Sequence, residues 1–529
     1  MEKRAMLAFV LSLIVLFAYQ YLFLSKTQNQ SSIPQTTEEA QKRQEAEKEP
    51  LKQKTAEKSE KQGFSLQENV AWPVEEEYVL VETDLAEYQI STRDAMIKKI
   101  ALKKYKDDKG MPIQLIPEGT VFYPLQIISE EGAALNFIPS EKKIMVGDKK
   151  KLLVMSYLNP GGKKIEKVFE FSRDSYEVKV KIDQNFLKAY QVLVGSYLTK
   201  PNEKENRQTE HAGPVIDFQG EIKRVSSKEI KERKTFAGNI PWAALEAKYF
   251  MTALLPENKD AVAVLDHFEK EEAHSLVLGF LGKEENASYV FYAGPKDYEL
   301  LKSFGNDLEK IINFGFFEFL AKPMFYILKS MYRFVRNYGL AIILLTTLIK
   351  IIFWPLTHTQ QRSMQQMQKI QPEINALRER YKDDKQKITS ETMVLYKKYK
   401  VNPAAGCLPL LIQIPVFFAL YNVLLNAIEL RGSPFLYIKD LSAADTLFGH
   451  VFGFAVGPLP LLMGVSMYMQ QKMMPTTMDP KQAQIFQFMP LIFTFMFLNF
   501  PSGLVLYWLV NNVLTIVQQY LTNKRRLEV

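Results

Sequence analysis

The segment YGLAIILLTTLIKIIFWPLT, residues 338–357, carries one charge, Lys350, in an otherwise apolar run. At this length a helix covers about 30 Å, the thickness of a bilayer's hydrocarbon core. The run therefore predicts a membrane-spanning helix. Four more runs of similar character follow at about 404–428, 453–472, 485–500 and 503–521. Phe500-Pro501-Ser502-Gly503 joins the last two and leaves room only for a tight turn. A sixth run, AMLAFVLSLIVLFAYQYLFL at 5–24, is uncharged and follows Lys3 and Arg4. It lacks a small-x-small cleavage site, so it reads as an uncleaved signal anchor. The expected fold class is an α-helical polytopic membrane protein with six transmembrane helices and a large β-sandwich domain.

The sandwich comes from the polar half of the chain. Residues 26–69 are rich in Gln, Glu, Lys, Ser and Thr, too poor in apolar groups to offset ordering entropy, and read as a disordered linker after the anchor at 1–25. From 70 to 305 the texture changes to short alternating runs such as Tyr176-Glu177-Val178-Lys179-Val180, separated by turn signals such as Asn159-Pro160-Gly161-Gly162. Many short strands at that spacing predict a β-sandwich. Residues 306–337 mix Phe, Tyr and Ile with Glu318, Lys322, Lys329, Arg333 and Arg336. Too charged to span, they predict an interfacial amphipathic helix. The helical core then occupies 338–521 and a basic tail 522–529.

Charge follows this map. The chain has 529 residues, a formal net charge of +8 and a single cysteine, Cys407. The stretch 358–403 holds ten Lys/Arg against five Asp/Glu, while 429–452 contains only Arg431 and Lys439 as basic residues. By the positive-inside rule 358–403 faces the cytoplasm, which also places both termini there. Membrane topology thus accounts for the basic excess, and no specific nucleic acid partner is expected. Within 358–403, residues 360–382 and 386–400 predict two helices broken at Lys382-Asp383-Asp384-Lys385, with Pro372 kinking or starting a helix. Met364, Met367 and Ile370 form an apolar stripe there, an adaptable surface or the seam of the hairpin. The lone cysteine excludes a disulfide framework or Cys-rich metal site, and the scattered histidines show no metal spacing. No nucleotide loop or hydrolase elbow is present, so neither an enzyme nor a cofactor is expected.

The informative residues are polar groups inside the spans. A Lys at a helix centre costs about 2.5–3.5 kcal/mol on insertion scales, so Lys350 either faces a partner or water or snorkels past Pro355 to the surface. Thr346 lies one turn before it. Gln413, Asn422, Asn426 and Glu429 mark one neighbouring run, and Asn511, Asn512, Thr515, Gln518 and Gln519 mark the last. These amides can glue helices together. No acidic partner for Lys350 lies inside the spans, which favours a hydrated cavity and disfavours a cation-coupled relay.

Three segments carry a resemblance. They are Val401-Asn402-Pro403 with Gly406-Cys407-Leu408-Pro409-Leu410-Leu411-Ile412-Gln413-Ile414-Pro415; Gln471-Lys472-Met473-Met474-Pro475-Thr476-Thr477; and Phe488-Met489-Pro490 through Phe500-Pro501-Ser502-Gly503-Leu504-Val505-Leu506-Tyr507-Trp508. In order and spacing they resemble the YidC/Oxa/Alb family of membrane protein insertases, and the long insert after the first helix resembles its Gram-negative form. The resemblance implies a periplasmic β-supersandwich, a five-helix core and a hydrophilic groove with one basic residue. The family usually has Arg there, where this chain has Lys350. It implies a substrate-contacting face at Thr346, Phe417, Met463, Met496 and Trp508. It also implies nascent membrane proteins as clients in the bacterial inner membrane, insertion alone or beside the Sec translocon, and capture of a ribosome or targeting receptor by the hairpin and tail. Two other classes fit parts of the chain. They are a solute transporter or channel, which lacks an acidic relay, and a membrane-anchored periplasmic glycan-binding protein, which rests on the β region alone.

Overall fold

The computed structural model describes residues 76–524 except 108, 130–134, 160, 200–210, 227–229, 231, 271–272, 382–383, 400, 402–407 and 474–486. The run at 5–24, the linker and most of the basic tail lie outside the described residues. The described residues form two compact units, one ending at Ile312 and the other beginning at Asn313.

The first unit is built from three sheets. The largest runs, in spatial order, Glu221–Arg224, Gly213–Phe218, Ala243–Glu246, Phe250–Pro256, Asn286–Pro295, Glu177–Gln184, Lys164–Phe171, Lys151–Leu158 and Ile138–Pro139. The second runs Lys234–Asn239, Asp260–Lys270, Ala273–Gly282, Tyr190–Thr199 and Ile127–Ser129. The third runs Pro112–Gln114, Ile97–Lys106, Ala86–Ser91, Tyr78–Glu82 and Lys143–Met145, its last pair parallel. Because side chains alternate along a strand, register fixes which faces meet. Phe171 pairs with Val178, and Val178 with Phe291, so the three share a face. Tyr88 of the third sheet packs on Phe171 at 5.4 Å between ring centroids, and Phe280 of the second packs on Tyr289 at 6.5 Å. Both smaller sheets therefore cover one face of the largest. On the opposite face, Tyr292 packs against Phe304 of α1, Tyr298–Phe304.

Two polar knots interrupt this apolar interior. Lys167 is fully buried on the inner face, and its ammonium donates to the carbonyls of Ala95 at 2.9 Å and of Leu125. Asp94, Ala95 and Leu125 all have left-handed φ, between 45° and 62°. Asp94 is buried beside Lys167, accepts bonds from Leu135 N and Gln126 Nε2, and is pushed up by burial to about 6. The second knot centres on Glu246, which Lys296 Nζ meets at 2.8 Å, Arg224 Nε at 2.9 Å and His211 Nδ1 at 3.0 Å. Arg224 Nη2 also donates to Ile311 O at 2.6 Å, tying the end of this unit to its sheet.

The second unit is helical. α2 (Glu318–Val335) buries Ala321, Met324, Phe325 and Leu328, exposes Phe319 and Phe334, and ion-pairs Lys329 with Glu429 at 3.1 Å. Tyr332 stacks on Tyr338 at 3.9 Å, which turns the chain into α3 (Tyr338–Arg380). Asn337 caps α3 by accepting from Leu340 N. Gly339 lies against the Phe435 ring, where a Cβ would come within 2.1 Å. α4 (Lys385–Lys398) folds back on α3. Then follow α5 (Leu408–Asn426), α6 (Pro458–Met473), α7 (Met489–Phe497) and α8 (Ser502–Lys524).

These elements correct several sequence expectations. The span at 338–357 and the expected helix at 360–382 are one helix that runs through Pro355 and Pro372. Each proline removes a single bond from a ladder whose flanking turns remain intact. The run at 453–472 begins as helix only at Pro458, because Phe452-Gly453 form a turn of left-handed residues. Among the described residues two helical stretches, Tyr338–Thr359 and Ser502–Thr522, are long and apolar enough to cross a membrane, while Gln413–Asn426 is shorter. In the hairpin of α3 and α4, Met367 and Ile370 are buried with Ile374 and Val401 against Leu395 and Tyr396. The described part of the stripe is thus the hairpin's own seam.

Burial alone would raise the Glu246 carboxyl, but Lys296, His211 and Arg224 outweigh it and hold it down at about 2. A lowered folded pKa contributes stability above the unfolded value, about 4.5, that is lost as pH falls toward 2. This amounts to about 3 kcal/mol. Thermal melts of the full chain in detergent from pH 6 to pH 3 are expected to steepen below pH 4.5. Glu246→Gln should flatten that fall, and a variant with the same pH slope would contradict the assignment.

Candidate functional site

In the helical unit, polar side chains are buried among the apolar ones, and many large apolar side chains face outward. Thr346, Asn422, Ser466, Asn512, Gln518 and Gln519 are buried, whereas Ile351, Ile352, Leu462, Val465, Ile492, Val513 and Val517 are exposed. Contiguous exposed apolar surface of this extent requires a non-aqueous neighbour. The polar groups inside require partners within the protein.

The seam between α3 and α8 supplies them. Gln518 Nε2 donates to Thr357 Oγ1 at 2.7 Å, and Thr522 Oγ1 donates to Gln361 Oε1 at 2.9 Å. Both pairs differ by 161 positions, so the two helices run side by side in one register. That register places the Lys350 backbone level with Asn511. The Lys350 ammonium instead donates to Thr515 Oγ1 at 2.8 Å. It thus leans one turn, about 6 Å, toward the α3 C-terminus. Thr515 in turn donates to Asn511 O at 2.6 Å. Half-buried in the seam, Lys350 combines an interior position with the tilt of a snorkelling side chain. Among the described residues it has no carboxylate partner.

Two further contacts flank the seam. Gln413 of α5 donates to Tyr507 OH, joining α5 to α8. Asn512 Nδ2 donates to Ser466 Oγ at 3.0 Å, joining α8 to α6, and Ser466 donates to Met463 O. Phe417 meets Trp508 edge-on at 4.9 Å, and Phe493 and Phe497 complete an aromatic wall around that indole. Met463 is fully buried, whereas Met496 is exposed on α7 beside Phe495. Thr346 is buried and donates to Ile342 O of its own helix.

Asn422 and Asn426 are engaged elsewhere. Asn422 Nδ2 donates to Phe418 O and packs against Gly315, and Asn426 Nδ2 donates to Asn313 O. They hold the segment before α2 against α5. Thr357, Gln361, Ser466 and Thr522 also belong to the polar seams and are not among the residues that the sequence marks, and Tyr507 joins them from the third motif segment. Their signal was the recurrence of Thr357 and Gln361 on α3 one turn apart, matching Gln518 and Thr522 on α8.

Residues 330–528 match the family model described as 60Kd inner membrane protein, and residues 78–327 match that of the YidC periplasmic domain. The chain is 37% identical to a membrane protein insertase YidC from Pelobacter propionicus, over 99% of each chain. It is also 37% identical to one from Syntrophus aciditrophicus, over 99% of this chain and 100% of that relative. A crystal structure of YidC from Thermotoga maritima aligns with 83% of this chain and 99% of its own, at 17% identity and a TM-score of 0.32.

The α3–α8 register is testable by disulfide formation with Cys407 replaced by Ser. Cysteines at Thr357 and Gln518, or at Gln361 and Thr522, should cross-link rapidly under mild oxidant. Faster cross-linking between Thr357 and Thr522, one turn out of register, would contradict it.

Proposed function

The chain belongs to the YidC family of membrane protein insertases, which are not enzymes, and from that premise we propose how its residues perform insertion. Six helices span the inner membrane with both termini in the cytoplasm, the last five forming the core. The seam of α3, α5 and α8 is a hydrophilic groove. A short polar segment of a nascent membrane protein enters it, and its carboxylates are drawn to Lys350. Its apolar helix slides along the wall of Phe417, Met496 and Trp508 into lipid. Burial of that helix supplies the driving force at about 25 cal/mol per Å².

The observation that carries this reading is the Lys350–Thr515 pair. A cation sits in the interior of helices whose outer faces are apolar, bonded to a neutral hydroxyl and so able to attract a passing carboxylate. A single hydroxyl contact needs no planar fork, so Lys serves where the family's usual Arg would stand. The exposed side of the α3–α4 hairpin and the basic tail are the capture surface for a ribosome or targeting receptor, and the Sec translocon is a partner for larger clients. Transporter and glycan-binding readings give way to family membership.

In cells depleted of their own insertase, this chain should be supplied with Lys350, with Lys350→Arg or with Lys350→Gln. Clients with acidic and with neutral translocated segments are then compared. Lys350→Gln should slow the acidic client selectively, and Lys350→Arg should restore it. Equal insertion of both clients by Lys350→Gln would show that the charge plays no part.

A further inference from the structure

The connection between α5 and α6, residues 427–457, displays large apolar side chains where a water-facing loop would carry polar ones. Phe435 and Ile438 exchange backbone hydrogen bonds of 2.9 Å across a two-residue turn. Leu436 sits in that turn at φ 52° and is 84% exposed. A second turn joins His450-Val451 to Phe454-Ala455, and its first residue, Phe452, has φ 51° and is 98% exposed. Left-handed positions in such turns favour Gly, Asn or Asp, because a larger side chain strains the backbone. Twice in one loop, then, the chain accepts strain to present an apolar residue. Leu447, Phe448 and Val451 are exposed beside Phe452.

The underside of the loop explains why these groups do not collapse inward. Buried Asp445 accepts from Tyr437 OH and from Leu459 N, each at 2.9 Å, and so grips the start of α6. Gly457 lies flat on that carboxylate, where any Cβ would clash. Ser502 N and Oγ donate to Ala443 O, and Gly503 N donates to Leu441 O, fixing the loop to the start of α8. Ala455 N donates to Asn499 Oδ1. The apolar groups are therefore held outward by a rigid base.

We propose that this loop is a lipid anchor, with Leu436, Phe448 and Phe452 inserted into the interfacial layer of the phospholipid leaflet at the end of the bundle where α3 and α8 begin. Continuity selects lipid as the occupant. Phe454 packs edge-on against Phe495 at 6.3 Å, and Phe495 belongs to the exposed apolar belt formed with Leu491, Ile492, Leu461 and Leu462. The loop extends that belt past the helix ends, to the depth where aromatic rings and cationic heads partition together. Exposed Lys439, next to the first turn, supplies a cation suited to lipid phosphates.

The test places a spin label at Phe452→Cys, Leu436→Cys or Lys142→Cys in the full chain, with Cys407→Ser. The protein is reconstituted in vesicles of phosphatidylethanolamine and phosphatidylglycerol. Labels at 452 and 436 should be open to oxygen, shielded from a water-soluble nickel complex, and about 5–10 Å below the phosphates. The label at 142, on an exposed side chain, should show the reverse. Nickel access at 452 and 436 equal to that at 142 would overturn the proposal. Shielding from both probes would also overturn it, because it would mean that protein, not lipid, covers the loop. Phe452→Asn gives a second arm, since Asn suits the left-handed turn. Its melting temperature in detergent should hold or rise, while nickel access at 436 should increase about twofold as the anchor weakens. No change at 436 would count against a shared anchor.

Discussion

Hydrocarbon offers no hydrogen bonds, and that deficit orders the helical unit. Polar side chains within the apolar stretches Tyr338–Thr359 of α3 and Ser502–Thr522 of α8 must find their partners inside the protein, so they are drawn into seams, while many large apolar groups face outward. Hydroxyls also fold back on their own helix, as Thr346 does on Ile342 O, Thr347 on Ile343 O and Thr494 on Pro490 O. Hydroxyls and amides that do meet a neighbour fix its register, as Gln518 with Thr357 and Asn512 with Ser466. Lys350 is satisfied only in part. One hydroxyl, that of Thr515, accepts one of its three protons.

Much of this was legible in the sequence. A run of twenty apolar residues has few alternative uses, and a lysine in its middle is conspicuous because it is costly. The polar stripe on the last helix was legible because Asn511, Thr515 and Gln518 recur at helical spacing. Partner assignment was less accessible, because an amide's periodicity gives its face but not its neighbour. Asn422 shares a face with Asn426, yet both serve the segment before α2. Helix ends were missed where local chemistry overrides hydropathy. Gly453 and Pro458 delay α6 inside an apolar run, and Pro355 fails to end α3.

The β unit was legible as strands but not as layers. Alternation announces a half-buried strand, while which sheet covers which face depends on pairings between residues far apart in the chain. Lys167 illustrates the limit. It stands in an alternating run, Lys164–Phe171, where a charged residue reads as solvent-facing, yet it occupies the inner face. Only the left-handed turns at Asp94, Ala95 and Leu125, which aim carbonyls inward, make that position tenable.

That arrangement bears on the order in which the β unit assembles. The carbonyl of Ala95 belongs to the turn before Ile97–Lys106, and that of Leu125 to the approach to Ile127–Ser129, so the ammonium joins all three sheets. While either smaller sheet is absent, the lysine can remain hydrated on an open sheet face. Desolvation becomes tolerable only when both have docked and the last carbonyl arrives. The bonds are therefore complete only where all three sheets meet, in the native arrangement. Interactions that form after the transition state act as a latch: they leave the speed of folding nearly unchanged and set how long the finished domain stays closed.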